Sequence, residues 1–306
     1  MRIVIALGGN ALLRRGEPPT AENQHRNVQV AAAALAPIAR EHALVIAHGN
    51  GPQVGLLALQ ASAYRPDQAY PLDILDAETE GMIGYLIERE LHNALLDHRP
   101  CVPLLTQIAV DPQDPAFRNP GTPLGPTYSR AEARDLVRVR GWQMARDGHF
   151  FRRAVPSPRP RRILELSVIE LLVTQGITVI CAGGGGIPVS RRSDGTLRGV
   201  EAVIDKDLAS ALLARELAAD AFLMLTDVQA VYRNWDEPDA AAIRDTTPGE
   251  LRSLSFAPGS MAPKVEAACE FVETTGGTAG IGSLADAQLI LSGQAGTRVM
   301  RGAECP

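Results

Sequence analysis

Lysine is almost absent from this sequence, so the two positions that carry it are informative. Of the 30 basic residues only Lys206 and Lys264 are lysine, and arginine supplies the other positive charges. A lysine ammonium is a compact charge that fits a crowded phosphate site where the planar arginine fork does not. Both lysines lie beside glycine or aspartate, in the segments VIDKD and GSMAPKV. We therefore favour a role at a phosphate over chance survival on a solvated face.

Three glycine-rich segments are the second candidate feature. They are Gly8-Gly9-Asn10, Gly49-Asn50-Gly51 and Gly183-Gly184-Gly185-Gly186. A glycine inside a regular element costs roughly 0.5 to 1 kcal/mol relative to alanine, so four in a row mark a backbone that turns sharply or touches something. A single Gly-Gly is more often only a turn. Three such loops together favour recognition of phosphate or carboxylate by backbone N–H groups.

The common glycine signatures of nucleotide binding are incomplete here. The stretch from Gly183 lacks the third glycine of G-x-G-x-x-G, because that position is Pro188. The pattern G-x-x-x-x-G-K-[ST] does not occur in the sequence. Nucleotide phosphates would therefore be held by separate loops and not by one wrapped loop.

Short apolar runs alternate with helical periodicity along the chain, which is typical of parallel strands in βαβ units. The expected strands are 3–7, 43–47, 102–105, 177–182, 221–225 and 279–284, and the expected helices are 23–40, 78–97, 163–175, 207–218 and 264–274. Open α/β sheets bind ligands beyond the carboxyl ends of their strands, where the glycine segments fall. We therefore predict an α/β fold with an open, mainly parallel sheet between helices and one shared crevice.

Composition narrows the class of protein. The 306 residues carry a net charge of −5, with 45% hydrophobic residues, which is ordinary for a globule and argues against a surface built for nucleic acid. No apolar run is long enough for a secretion signal or approaches the ~20 residues of a membrane-spanning helix. The four cysteines are widely spaced and indicate neither disulfides nor zinc. We expect a cytoplasmic protein with no membrane or nucleic-acid partner.

The region from about 111 to 162 interrupts the βαβ rhythm. It holds eight of the 22 prolines and, from Arg130 onward, ten arginines opposed only by Glu132, Asp135 and Asp147. Three interpretations fit: a solvated charged excursion, a cationic flap over an anionic site, and a nucleic-acid surface. The third is the weakest because no known nucleic-acid module is present.

Two lysines and three glycine loops meet the needs of phosphoryl transfer. That chemistry depends on positioning, on cations over the moving group and on metal that bridges nucleotide phosphates. The six histidines include no H-E-x-x-H pair, and no Ser/His/Asp arrangement can be argued from spacing. His48 opens HGNGPQVG, but a lone histidine before a tight turn is more often a loop anchor than a catalyst.

Eight segments together resemble one family. In chain order they are ALGGNALL (6–13), HGNGPQVG (48–55), EGMIGY (80–85), VPSPRP (155–160), AGGGGIPV (182–189), GVEAVIDKD (199–207), TDV (226–228) and GSMAPKV (259–265). They are similar to segments of carbamate kinase, in the same order and spacing. The resemblance implies the amino-acid-kinase fold with a small protruding subdomain, and usually a homodimer. It also implies reversible transfer between ATP and carbamate, giving ADP and carbamoyl phosphate, with Mg²⁺ bound through the nucleotide phosphates.

The resemblance further implies roles for single residues. Those implied to hold carbamate and the transferred phosphoryl group are Gly8, Gly9, Asn10, Gly49, Asn50 and Gly51, with Gly183, Gly184, Gly185 and Gly186 facing them. Asp205 would orient the cationic groups, Lys206 would lie beside the transferred phosphate, and Lys264 would lie at the nucleotide phosphates. The residues implied to bind the nucleoside are Thr226, Asp227, Val228 and Tyr232. No residue is expected to bind metal directly.

The implied organisation is one continuous fold with two lobes. Residues 1–200 would bind carbamate and include the protruding subdomain at about 111–160, and residues 201–306 would bind nucleotide. One departure is clear, because the family usually reads N-P-T-K-P-I-G-P where this chain reads NPGTPLGP, with Thr122 in place of lysine. A third cation is then missing or is supplied by an arginine such as Arg130, Arg152 or Arg153.

Two alternatives stay open at this point. One is a kinase of the same fold that acts on another small carboxylate or phosphate, since the departure falls in the flap that would close on the acceptor. The other is a non-catalytic protein that binds carbamoyl phosphate or nucleotide. Retention of both lysines and all three glycine loops counts against the second alternative.

Overall fold

The computed structural model describes residues 1–14, 16–64, 68–96, 99–235, 237–257 and 260–302. Its strands are β1 Arg2–Leu7, β2 Ala43–His48, β3 Cys101–Pro103, β4 Gln107–Val110, β5 Thr122–Tyr128, β6 Gln143–Asp147, β7 Phe150–Val155, β8 Pro160–Ile163, β9 Thr178–Ile180, β10 Ile187–Arg191, β11 Leu197–Gly199, β12 Ala221–Thr226, β13 Val231–Arg233, β14 Ala241–Ile243, β15 Asp245–Thr246, β16 Thr278–Ser283 and β17 Thr297–Val299. Its α-helices are α1 Gly9–Leu12, α2 Ala21–Glu41, α3 Gly51–Tyr64, α4 Leu72–Leu95, α5 Arg130–Arg140, α6 Leu166–Thr174, α7 Lys206–Glu216, α8 Pro248–Arg252, α9 Met261–Thr275 and α10 Ala287–Leu291.

A central sheet organises the described ranges of the chain. Its strand order is β15-β17-β16-β12-β1-β2-β9-β3. Every neighbouring pair is parallel except β16 and β17, which are antiparallel. Strands from the first 200 residues form one half of the sheet and strands from the remainder form the other, and they join where β1 pairs with β12. The predicted α/β class with an open, mainly parallel sheet is confirmed.

Both faces of the central sheet are covered, which explains why its strands read as unbroken apolar runs. Successive side chains of a strand point to opposite faces. In β1, Ile3 and Ile5 join the core under α2 and α4, whereas Val4 joins the core under α7 and α9. All three side chains are fully buried. The sheet is therefore a rigid layer whose strand ends hold the loops in place.

The region that interrupts the βαβ rhythm folds as a small antiparallel unit. Strands β5, β7 and β6 pair in that order, and α5 lies between β5 and β6 in the chain. Ser129 caps α5 with a reciprocal capping box to Glu132, and Gly141 ends it at a φ of +65°. The prolines of β5 are compatible with a strand because β5 is an edge. A second sheet has the order β11-β10-β4-β8; β4 and β8 flank this unit in the chain, and β10 and β11 follow the glycine segment at 183–186.

The expected strands of the central sheet are all present, shifted by no more than two residues at an end. The helix expected at 78–97 begins earlier, at Leu72, because Leu72 and Leu75 are buried against Val54 and Leu124. The end of that expected helix, at residue 97, lies outside the described residues. The sequence did not predict helix α3, because its Gly-Pro start suggests a loop. In the structure, the buried residues of this helix are Gln53, Val54 and Gly55. Tertiary contacts, not periodicity, decide these two helices.

The described helices do not include one that is both long enough and apolar enough to span a bilayer. Cys101, Cys181 and Cys269 are free thiols, and Cys305 lies outside the described residues.

Candidate active site

The glycine segment at 183–186 follows β9 and turns the chain through conformations that other residues avoid. Gly184, Gly185 and Gly186 have φ values of +68°, +99° and +82°. This left-handed region costs a residue with a Cβ roughly 1–2 kcal/mol. Ala182, directly before the segment, also has a positive φ, of +51°. Three consecutive residues thus have a positive φ, a conformation that favours glycine.

Close contacts are the second reason for these glycines. A Cβ built at Gly183 would lie 2.4 Å from Nε2 of His48, and one at Gly184 would lie 2.2 Å from Nδ2 of Asn50. A Cβ at Gly185 would lie 2.3 Å from the carbonyl oxygen of Ile204. The bare backbone thus touches the loop after β2 on one side and the approach to α7 on the other.

Gly184→Ala is expected to lower activity at least about tenfold, because the new methyl group would displace Asn50 from its position. The matched control is Gly195→Ala, since Gly195 has a similar φ of +86° but nothing within 4 Å of its Cβ position. Both variants carry the same backbone strain, so the control should lose stability and keep activity. Steady-state kinetics with thermal unfolding of both variants is the measurement. Equal activity in the two variants would contradict the importance of the contact.

The two other glycine loops lie side by side. Gly8 N donates to Leu225 O at 2.8 Å, and Gly49 N donates to Leu7 O at 3.0 Å. A Cβ at Gly49 would lie 2.9 Å from N of Gly9, so the loops after β1 and β2 touch through their backbones. They occupy adjacent carboxyl ends of the sheet, as open α/β sheets arrange their ligand sites.

Helix α3 begins directly in the second of these loops, at Gly51. The first N–H groups of a helix have no acceptor within it, and the helix dipole favours an anion there. Asn50 precedes this helix, and its carbonyl oxygen accepts from Val54 N at 2.9 Å. Asn10 lies in the short helix α1; its side chain is outside the described part of the structure. The loops thus offer donors suited to phosphoryl or carboxylate oxygens.

The two lysines of the chain meet at one carboxylate. Lys206 Nζ lies 2.6 Å from Oδ1 of Asp207, and Lys264 Nζ lies 2.8 Å from Oδ2 of the same residue. The side chains of Lys206, Lys264 and Asp207 are 12%, 14% and 6% exposed. Burial opposes ionisation of Asp207, but the two ammonium groups lower the pKa of its carboxyl to about 2. Asp207 therefore stays charged and holds both lysines at a nearly dry site.

Asp205, which the resemblance implies orients the cationic groups, lies at the start of helix α7. Its Oδ1 accepts from the backbone N–H groups of Asp207 and Leu208, at 2.9 Å and 3.1 Å, and so caps helix α7. Burial raises the pKa of Asp205, and the charge of Asp207 adds to this rise. The structure thus brings Asp207, and not Asp205, into ion-pair contact with both lysines. The segment DKD contains both acids, but spacing alone does not tell which one turns toward Lys264.

The buried carboxyl group of Glu80 on α4 supports the glycine segment at 183–186, a role that was not predicted from the sequence. Glu80 accepts from Gly183 N at 2.8 Å and from Thr106 N at 3.1 Å. Burial raises the pKa of its carboxyl to about 8. One turn earlier Asp76 contacts Asn50, and burial also raises the pKa of Asp76. Acids four residues apart, which lie on the same face of a helix, were the available signal.

His48 packs against the glycine segment and is not suited to act as a general acid. It is fully buried, and its Nδ1 lies 3.2 Å from the carbonyl oxygen of Gly49. Burial, together with the charge of Lys206, lowers the pKa of His48 to about 4. The ring is therefore neutral near pH 7, in agreement with a loop anchor.

The residues expected at the nucleoside begin at the last residue of β12, next to the first glycine loop. Thr226 Oγ1 donates to Oδ1 of Asp227 at 3.1 Å, and a Cβ at Gly8 would lie 3.6 Å from Cα of Thr226. Val228 follows, half-buried. Tyr232 lies on β13 and packs edge-to-face on Trp235, with ring centroids 5.1 Å apart. No pattern in the sequence placed Trp235 at the nucleoside.

Thr122 begins β5 and pairs with Val155 of β7. Of the three arginines named as substitutes for the family lysine, Arg153 is 2.8 Å from Glu201 and Arg152 donates to Gly125 O at 3.3 Å. Arg130 is the first residue of α5 and is exposed. Gly259, part of the segment GSMAPKV, lies outside the described residues.

The chain is similar to known proteins over nearly its whole length. The model of the amino acid kinase family matches residues 1–281. The carbamate kinase of Rhizobium meliloti (strain 1021) is 56% identical over 299 residues, which cover 97% of this chain and 92% of that protein. The carbamate kinase of Haemophilus influenzae is 54% identical over 304 residues, which cover 99% and 98%.

A solved structure is similar over the same extent. The carbamate kinase from Giardia lamblia bound to AMP-PNP superposes with a TM-score of 0.91 at 40% identity and covers 98% of each chain. The family model's match at residues 1–281 spans both lysines and all three glycine loops. The chain belongs to the amino acid kinase family, and within it to the carbamate kinases.

Proposed function

We propose that this chain transfers a phosphoryl group reversibly between ATP and carbamate, giving ADP and carbamoyl phosphate, and that it works mainly toward ATP. The observation that carries the proposal is the pair of buried lysines joined through Asp207 beside the glycine segment at 183–186. Phosphoryl transfer requires little covalent help from a protein and depends on such preorganised charge.

Each part of the site has a proposed task. The backbone N–H groups of the loops at 8–10 and 49–51 hold carbamate and the transferred group. Lys206 neutralises the negative charge that the moving phosphoryl oxygens carry, and Lys264 does so at the nucleotide phosphates. Asp207 keeps both ammonium groups aimed. Asp205 contributes by fixing the first turn of α7, on which both Lys206 and Asp207 lie.

The proposed organisation follows the two halves of the sheet. The lobe at 1–200 binds carbamate, with the antiparallel unit at about 111–160 as its protruding subdomain. The lobe at 201–306 binds nucleotide. The residues proposed to contact the nucleoside are Thr226, Asp227, Val228 and Tyr232.

Mg²⁺ is proposed as the accompanying ion, bound through the nucleotide phosphates. Among the described residues no group of three or more His, Cys, Asp or Glu side chains is arranged to hold a metal. Mg²⁺ is commonly held by substrate phosphates with only one or two carboxylates, so the site is compatible with it. When bound, it would neutralise charge on the phosphates. A cytoplasmic location and the absence of nucleic-acid partners stay predictions from the sequence.

The test is ATP formation from carbamoyl phosphate, ADP and Mg²⁺, followed with a coupled assay. Lys206→Ala, checked for folding, serves as the inactive control. A panel of small carboxylate acceptors with ATP tests the alternative kinase. Calorimetry tests the non-catalytic alternative, which would show binding with turnover at background. Well-folded protein that makes no ATP from carbamoyl phosphate would remove the proposal.

Thr122→Lys is expected to leave kcat/KM unchanged or lower, because we infer that an arginine of the subdomain already supplies the third cation. Loss of that arginine should cost about tenfold in kcat/KM, or roughly 1.4 kcal/mol. Alanine variants at Arg130, Arg152 and Arg153 identify which one does so. If none of the three changes kcat/KM while Thr122→Lys raises it, the inference of a substitute arginine is wrong.

A homodimer is proposed to form through the β3 edge of the central sheet. Exposed apolar side chains surround this edge on α4, on α6 and after β3: Met82, Tyr85, Leu105, Val168 and Leu171. Exposed strand edges and apolar patches are typical of association surfaces. Light scattering should give twice the chain mass of 32.6 kDa. A mass of one chain at micromolar concentration would contradict this proposal.

A further inference from the structure

Helix α4 holds the side-chain amide of Asn50 in one orientation. Asn50 Nδ2 donates to Oδ1 of Asp76 at 3.0 Å and to Oγ1 of Thr79 at 2.9 Å. The Thr79 hydroxyl donates its only hydrogen to the main-chain oxygen of Asp76 at 2.9 Å, so toward Asn50 it can only accept. Asn50, Asp76 and Thr79 are 6%, 1% and 0% exposed. A flip of the amide would therefore break two buried hydrogen bonds.

This orientation leaves Asn50 with an acceptor and no donor for a ligand. An amide NH₂ group has two hydrogens, and both are used. Oδ1 of Asn50 has no donor among the described residues, and it is not sealed inside the protein as Nε2 of His48 is. A Cβ at Gly184 would lie 2.7 Å from this oxygen, which places it at the glycine segment of the site.

The other groups that the proposed site offers to a ligand are donors. The first backbone N–H groups of α3 and the two lysine ammonium groups all suit oxygen atoms of a ligand. Carbamate and carbamoyl phosphate differ from acetate and acetyl phosphate by an NH₂ group in place of a methyl group. An acceptor held at the site distinguishes these two kinds of molecule, because only the amino group can donate to it.

We propose that Asn50 Oδ1 accepts a hydrogen bond from the amino group of the substrate and so selects carbamoyl compounds over acyl ones, with Asp76 and Thr79 as positioning residues. The proposal rests on the proposed function and names its substrate class more narrowly. A site that hydrogen-bonds a substrate N–H rejects the analogue without it, since the buried polar group is then left unpaired.

The experiment compares ATP formation from carbamoyl phosphate and from acetyl phosphate, each with ADP and Mg²⁺. The selectivity ratio is kcat/KM for the first divided by kcat/KM for the second. Where acetyl phosphate turns over too slowly to follow, its inhibition constant divided by KM for carbamoyl phosphate serves as the selectivity ratio. Thr79→Val removes the hydroxyl that accepts from the Asn50 amide, at nearly constant side-chain volume. Thr79→Ser keeps a hydroxyl at this position.

Thr79→Val should lower the selectivity ratio about tenfold, and Thr79→Ser should keep it within about twofold of the wild type. A purely structural role of Thr79 would lower both rates together and leave the ratio unchanged, which would overturn the proposal. Should Thr79→Val fail to fold, Asn50→Ala, which leaves α4 intact, must lower the ratio equally. A wild-type protein that makes no ATP from carbamoyl phosphate defeats the proposed function, and with it this inference. Wild-type ATP formation with unchanged ratios in the variants defeats this inference alone.

Discussion

Asp207→Asn is expected to lower kcat/KM for carbamoyl phosphate on the order of a thousandfold. The neutral amide would leave two buried ammonium groups, now 2.6 and 2.8 Å from the carboxylate, facing each other without a counter-charge. Loss of one preorganised charge contact at a transition state typically costs about a hundredfold to a thousandfold, and here two lysines lose their aim together.

The pH dependence of Asp207→Asn provides a second readout. Burial already lowers the pKa of Lys206, and Asp207 opposes that effect. Without the carboxylate the pKa of Lys206 falls further, so the ammonium loses its proton at lower pH. The alkaline loss of the remaining activity should therefore begin at a lower pH than in the wild type. A profile that is unchanged would argue that Asp207 does not hold the lysine charged.

Asp205→Asn is the matched control for this variant. Asparagine is about as good a helix N-cap as aspartate, so the start of α7 should persist. We expect a loss of about tenfold or less, because Asp205 makes no ion pair with either lysine among the described contacts. A larger loss for Asp205→Asn than for Asp207→Asn would favour the role that the family resemblance assigns to Asp205.

Lys206→Arg is expected to lower kcat about a hundredfold, nearly as much as Lys206→Ala. The charge is retained, but the longer planar head cannot occupy the point 2.6 Å from Asp207 Oδ1 in a site where the lysine is only 12% exposed. An uncompensated charge in the transition state then costs about 3 kcal/mol. Burst and steady-state kinetics, together with thermal unfolding of both variants, separate lost chemistry from lost folding.

Near-normal turnover by Lys206→Arg would remove the proposed role of Lys206. A loss in KM alone, with kcat retained, would assign Lys206 to ground-state binding and not to the transferring group.

Much of the architecture was predictable because it depends on neighbours along the chain. Unbroken apolar runs indicated the strands of a sheet covered on both faces, and β1 and β2 appear where periodicity placed them. The glycine segments fall after strands, so the rule for open α/β sheets brought them to one edge. The near-absence of lysine pointed to Lys206 and Lys264, and these two side chains do meet.

Other elements depend on packing that no local pattern reports. Helix α3 starts with Gly-Pro, which suggests a turn, and its apolar residues do not gather on one face. The first turn of α4 is helical because Leu72 and Leu75 pack on Val54 and Leu124, which belong to distant segments. The antiparallel unit at 122–155 likewise has prolines on an edge strand, where pairing partners cannot be read from sequence.

By itself the sequence determined the fold class, the edge of the sheet that carries the site, and the residue types there, since strand periodicity, glycine conformation and lysine chemistry are properties of the residues themselves. Only the tertiary structure decided which acid joins the lysines and which way the amide of Asn50 points. Asp205 and Asp207 are two residues apart, yet one caps α7 and the other reaches Lys264 on α9. Asn50 is oriented by Asp76 and Thr79, on a helix that begins more than 20 residues later. Hydrogen-bond direction depends on the acceptors that folding brings close, and these lie far away along the chain.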